Sequence, residues 1–167
     1  MPAFFFLFFL CLCNFAWAHP IPDLPVFGKF QTNGNSTILV EIDPRCFAED
    51  PEQVPFLTTS EFEETNASGK SNLVDQATSL IQKSLEIRLG ENPWFTPDLQ
   101  MNFTNREGGD LSDEQIVFIM GKYQPPLGSN ASFYQIRSKE SAPYDLVFTN
   151  QIDGKPQRRV NVLFPGE

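Results

Sequence analysis

The sequence predicts an α+β fold in which one α-helix packs on an antiparallel β-sheet. Three observations carry this. One stretch alone is apolar at helical period, short alternating or β-branched runs follow it, and turn formers separate those runs. A single helix followed by closely spaced strands is the order of an α+β domain.

The elements follow in chain order. Residues 4–13 are an unbroken apolar run, and Ala16-Trp17-Ala18 gives a small-x-small pattern before His19. About ten apolar residues are too few to span a bilayer but fit the core of a signal peptide. Residues 1–18 are therefore read as a signal peptide, one without the usual basic start, and the remainder as a secreted chain with no membrane span. Residues 19–35 contain Pro, Gly and Asn and read as an arm. Residues 37–42, Thr-Ile-Leu-Val-Glu-Ile, are β-branched between turn formers and predict a strand. From 43 to 70 the chain is acidic and broken by Pro44, Pro51 and Pro55. That predicts a long loop with a short hairpin around Val54 to Leu57.

Residues 72–89 predict the helix. Asn72 can cap it, and Asp75 lies beside its positive N-terminus. Leu73, Ala77, Leu80, Ile81, Ser84, Leu85 and Leu89 recur at helical spacing on one face. Gly90 suits the position after the helix, and Pro93 bars continuation. Strands are then expected at 99–103, 115–120, 132–137, 146–148 and 159–164, with Asp153-Gly154 as the last turn. Val160, Val162 and Phe164 should point one way. Leu80 and Leu85 should be buried against Phe118 and Val147. Residues 19–70 thus read as arm, strand and acidic loop, and 71–167 as the α+β domain, with 19–167 forming one globular unit.

Charge and cysteine counts narrow the chemistry. The net charge is −9, from 12 Lys and Arg against 21 Asp and Glu, and none of these lies in residues 1–18. Nucleic-acid affinity rests on Lys and Arg neutralising phosphates, so no DNA partner is expected. A polybasic membrane contact is disfavoured in the same way. Cys11 and Cys13 would leave with the signal peptide, and Cys46 then stands alone. It is either a buried small hydrophobe or one half of an intermolecular disulfide.

His19 is the only histidine. Ser-His-Asp and Cys-His nucleophile systems and multi-His metal sites are excluded by that count. A copper site at a free N-terminal His would need a second imidazole. No metal and no cofactor are expected. Four N-x-Ser/Thr sequons, at Asn35, Asn66, Asn102 and Asn130, are candidate glycosylation sites and predict surface positions.

After the helix stands Leu99-Gln100-Met101-Asn102-Phe103-Thr104-Asn105-Arg106-Glu107-Gly108-Gly109. Its Asn-x-Glu-Gly core, with an aromatic two positions before Asn105, resembles the small secreted fungal ribonucleases of the guanine-specific type. Pro143-Tyr144-Asp145-Leu146-Val147-Phe148 and Val160-Asn161-Val162-Leu163-Phe164 resemble that family's last strands, so the likeness spans residues 72–164. It implies a microbial ribonuclease-like fold. It also places Glu107 where the family's Glu accepts from the guanine edge, with Asn105 in the same loop. The other reading of Asn105 and Glu107 is a structural turn that bonds its own backbone.

The departures bear on activity. Cleavage of RNA by its own 2′-hydroxyl needs a general base, a general acid and a cation on the phosphate. The family's first His position falls on Met101, its Arg on Asp145 or Leu146, and its last His near Leu163 or Phe164. Its catalytic Glu falls around Val117, or on Glu114 in a shifted register. At least three of the four groups are then missing: Met, Leu and Phe cannot transfer protons and Asp would repel the phosphate, so no ribonuclease activity is expected.

Secreted ribonuclease-like proteins lacking these groups resemble the RNase-like effectors of plant-pathogenic fungi. Those carry an aromatic-x-Cys motif and a late Cys, where this chain has Pro44-Arg45-Cys46-Phe47 and no late Cys. The resemblance implies a non-enzymatic virulence effector that binds a host protein or, weakly, structured RNA, outside or inside the host cell. Lys155, Arg158 and Arg159 are the basic cluster that phosphates would meet, or else a solvated hairpin end. Tyr123, Phe133 and Tyr134 are either stacking residues or core. The alternatives are an active endoribonuclease of the guanine-specific type and a secreted structural or inhibitory domain unrelated to ribonucleases.

Overall fold

The computed structural model describes residues 23–32, 34–112, 114–125, 134–157 and 159–167. The expected signal peptide, His19, Asn130, Phe133 and Arg158 lie outside the described residues. The fold is α+β and dominated by sheet. Strands β1 (Leu24–Phe30), β2 (Ser36–Ile42), β4 (Gln100–Thr104), β5 (Phe118–Tyr123) and β7 (Leu146–Ile152) run in the order β4-β5-β2-β1-β7. Two short strands, β8 (Lys155–Pro156) and β9 (Asn161–Leu163), share the far edge of β7. Strands β3 (Leu85–Leu89) and β6 (Tyr134–Ser138) form a separate two-stranded sheet. Among the described residues the α-helices are α1 (Thr59–Glu64) and α2 (Ala67–Ser84).

The expected arm is instead the strand at the heart of the sheet. Leu24 and Val26 are fully buried, while Pro25 and Gly28 between and after them blur the alternation in the sequence. Pro25 lacks an N–H to donate, and it stands just before Val26, where the pairing of β1 with β2 begins. The sheet is also mixed rather than antiparallel. β1 runs parallel to β7, from Leu24 opposite Leu146 to Phe30 opposite Ile152, while the other pairs are antiparallel.

The acidic stretch is more ordered than a loop. Pro44–Phe47 is a 3₁₀ turn whose Arg45 guanidinium is buried on the Asp43 carboxylate, Nη2 to Oδ2 at 2.6 Å. No hairpin forms around Val54 to Leu57. The carbonyl of Leu57 accepts from the Val117 N–H at 2.8 Å, and Thr58 bridges Ile116. Thr58 then caps α1. Its amide donates to Glu61 Oε2 at 2.9 Å while its Oγ1 accepts from the Glu61 N–H, a capping box spelled Thr-x-x-Glu in the sequence.

Helix α2 begins and ends five or six residues earlier than the periodicity predicts. Asn66 caps it, with Oδ1 accepting from the Gly69 N–H at 2.9 Å, and Asn72 is an exposed interior residue. At the other end Leu85 and Leu89 satisfy a helical period after Ile81, but with Ile87 they also satisfy a strand period. Burial of Leu85, Ile87 and Leu89 together decides for β3. Gly90 does take a left-handed φ of 57°, but to end a strand.

The inner face of the sheet and the buried side of α2 make one core: Leu24, Val26, Ile38, Val40, Ile42, Ile119 and Leu146 with Ala77, Leu80, Ile81, Leu85 and Ile87. Phe118 and Val147 are not in it. They alternate with Ile119 and Leu146 and so belong to the opposite face. Tyr123 and Tyr134 pack on the core.

Candidate binding groove on the outer sheet face

The alternation that sends Val26, Ile38 and Ile42 inward sends Phe27, Lys29, Leu39 and Glu41 outward, with Met120 and Lys122 on β5 and Asn102 and Thr104 on β4. These side chains line a groove of 590 Å³, closed at one end by the loop carrying Arg106, Glu107 and Asp110. Its floor is apolar in the middle, at Phe27, Leu39 and Met120. Lys29 and Lys122 stand toward one end, Glu41 and Arg106 toward the other.

Glu41 is the unusual member. It is 9% exposed, and its carboxylate makes no hydrogen bond or ion pair among the described residues. Burial raises its pKa, the Arg106 guanidinium opposes the rise, and the Asp43 charge adds to it. Thr104, also 9% exposed, lines the same groove with a buried Oγ1 that has no hydrogen-bond partner. Buried polar groups are ordinarily partnered. A groove floor holding a lone carboxylate and a lone hydroxyl is therefore a place where a ligand's donors fit.

Of the residues singled out from sequence, Glu107 borders this groove and is exposed. Asn105 is a staple of its loop. Its Oδ1 accepts from the amides of Glu107 at 3.0 Å and Gly109 at 2.9 Å, and its Nδ2 donates to the Asp110 carbonyl at 3.2 Å. Lys155 and Arg159 are exposed beyond the groove, near the end of β7. Asn35 and Asn66 are exposed in a turn and at a helix cap, while Asn102 is exposed on strand β4 in the groove wall. Tyr134 faces the core, packed on Phe30 and Phe148. Cys46 is free and buried.

The motif that carries the ribonuclease likeness borders the groove through Glu107, but the positions that correspond to the family's catalytic His and Arg do not lead into it. Met101 packs on the core from the inner face, Leu146 is fully buried, and Leu163 also packs on the core. No family model matches the chain. No curated protein matches it either.

Sequence reasoning passed over Glu41, Lys29 and Lys122. The signal for Glu41 was present: one acid inside a β-branched strand, in phase with Thr37 and Leu39 and out of phase with the core. Among the described residues, no cluster of His, Cys, Asp or Glu is placed to hold a metal ion, and no helix is long and apolar enough to cross a membrane.

Proposed function

We propose that the chain is a secreted binding protein without catalytic activity, and that it takes a host protein on the outer face of its sheet. The observation that carries this reading is the buried, unpaired Glu41 in an open groove whose floor is half apolar. Protein interfaces combine an apolar centre with a polar, charged rim, and the net charge of −9 works against RNA. A ribonuclease-like scaffold that has lost its catalytic set is supported by the Asn105-to-Gly108 motif and by the absence of proton-transferring side chains at Met101 and Leu163. Amine-reactive cross-linking in host extract tests the surface. Cross-links from Lys29 and Lys122 to a host protein are expected, and their survival in a Met120→Glu variant would refute the site.

A second reading has one specific observation in its favour. Glu41 shares its groove with Lys29, Lys122 and Arg106, a carboxylate base and cations such as phosphodiester cleavage requires. Incubation with labelled structured RNA decides it: turnover lost in Glu41→Gln would establish an endoribonuclease that works without histidine.

A further inference from the structure

The groove's charges are sorted along its length, and that order describes a ligand. Glu41 stands opposite Met120, and Lys122 opposite Leu39, so Lys122 lies one strand over and two residues along from Glu41. At about 4.8 Å between strands and about 3.3 Å per residue, their Cα atoms are about 8 Å apart. Lys29, two residues beyond Phe27 and hence beyond the Leu39 row, lies about 13 Å along in the same direction. Neither lysine makes a hydrogen bond or ion pair among the described residues.

At the acidic end, Glu41 is the buried carboxylate, and no counter-charge is in contact with it. The Arg106 guanidinium acts on it as a charge, yet Arg106 is exposed and makes no ion pair with it. Asp43 and Glu107 add negative charge at that end. A buried carboxylate accepts hydrogen bonds only, and its natural complement is a cationic donor. The lysine end calls for an anion. Between them the floor of Phe27, Leu39 and Met120 accepts apolar contact.

Resting on the reading of the groove as a protein-binding site, we propose that it takes an extended segment of the partner, with an Arg or Lys side chain seated on Glu41 and an acidic side chain of the same segment on Lys122 or Lys29. An extended chain advances about 3.3 Å per residue and returns to the same face every second residue. The acidic residue therefore stands two or four positions from the basic one.

The test uses synthetic, end-capped nonapeptides on the full chain, with Arg fixed centrally, one Glu moved along the peptide and Val, Thr or Ser elsewhere. Fluorescence anisotropy should show the tightest binding with Glu two or four positions from Arg. Glu41→Gln should weaken it about thirtyfold or more, the effect of truncating one partner of a buried charge pair. Lys122→Glu should weaken it less, and should bind better again when the peptide's Glu is changed to Lys. Thermal melts of both variants check that they fold. Indifference to Arg, or no dependence on the Arg–Glu separation, would overturn the proposal. Tight binding of guanosine monophosphate or an oligoribonucleotide that depends on Glu41 would also overturn it while keeping the groove. Binding of neither peptide nor nucleotide would remove the groove itself as the site.

Discussion

The hydroxyl of Tyr134 donates to Oδ1 of Asn150 across the inner face of the sheet, directly over Gly28. The ring is held from two sides, 4.5 Å from the Phe30 centroid and 5.9 Å from that of Phe148. A Cβ on Gly28 would run into both the Tyr134 hydroxyl and the Asn150 amide. Gly28→Ala should therefore destabilise by about 1–3 kcal/mol, the usual result of overpacking. Chemical denaturation measures it, and an unchanged midpoint would mean that Tyr134 can swing away without loss.

The helix face is tested at Leu80. It is 7% exposed and packs within the cluster that holds Leu85, Ile119 and Leu146. Leu80→Ala should cost about 2–5 kcal/mol. A loss below about 1 kcal/mol would place Leu80 outside the core.

Residues 37–42 show where sequence was sufficient. Ile38, Val40 and Ile42 alternate without interruption, and β2 forms within one residue of the expected span. Legibility failed where two periods shared the same residues. Leu85 and Leu89 fit a helix and a strand alike, and the tie is broken by tertiary structure, the burial of Leu85, Ile87 and Leu89 and the long-range pairing with β6. The Glu86 carboxylate accepts from Nε of Arg137 across that pair at 2.7 Å. β1 was hidden for a related reason, since its partner β7 lies more than a hundred residues away and Pro25 and Gly28 read as loop formers. Site residues followed the same rule. Asn105 and Glu107 stood in a local motif, whereas the groove joins Lys29, Glu41, Asn102 and Lys122 from four strands.

Cys46 should be chemically silent in the folded protein. Burial pushes its thiol up to about 12, with the Asp43 charge adding to the rise, and the thiolate is the reactive form. A thiol reagent at pH 8 should leave Cys46 untouched until denaturant is added. The sign for stability follows: a thiol held protonated in the fold contributes stability that is present below its unfolded pKa and lost as pH climbs toward about 12. Rapid labelling of the native protein would reopen the intermolecular disulfide.

Glu41 should set binding against stability. Burial raises its pKa, outweighing the opposing pull of Arg106. The ionised carboxylate is then less comfortable in the fold than in the unfolded chain, and its contribution to stability falls as pH rises through the folded pKa. Glu41→Gln should accordingly melt at a higher temperature than wild type at pH 7, with the difference shrinking in acid where both side chains are neutral. A gain at pH 7 that persists unchanged in acid would point to packing rather than charge.

RNA is where the charge count and the ribonuclease likeness disagree most sharply. The loop of Asn105 and Glu107 borders the groove, but Asn105 is committed to its own backbone. Lys29 and Lys122 supply cations there, while Glu41, Glu107 and Asp110 oppose them in the same groove. Phosphate attraction supplies essentially all non-specific affinity, and a net charge of −9 leaves little of it. Binding of structured RNA should be no tighter than about 10⁻⁴–10⁻⁶ M at physiological salt. It should weaken steeply as salt rises and depend on Lys155, Arg158 and Arg159, whose exposed members among the described residues carry no ion pair. A titration of labelled RNA at two salt concentrations, against wild type and an Arg158→Glu/Arg159→Glu double variant, measures both dependences. Submicromolar binding that ignores salt and the double variant, but disappears in Glu107→Ala, would make the Asn105-to-Gly108 loop a base-recognition site after all.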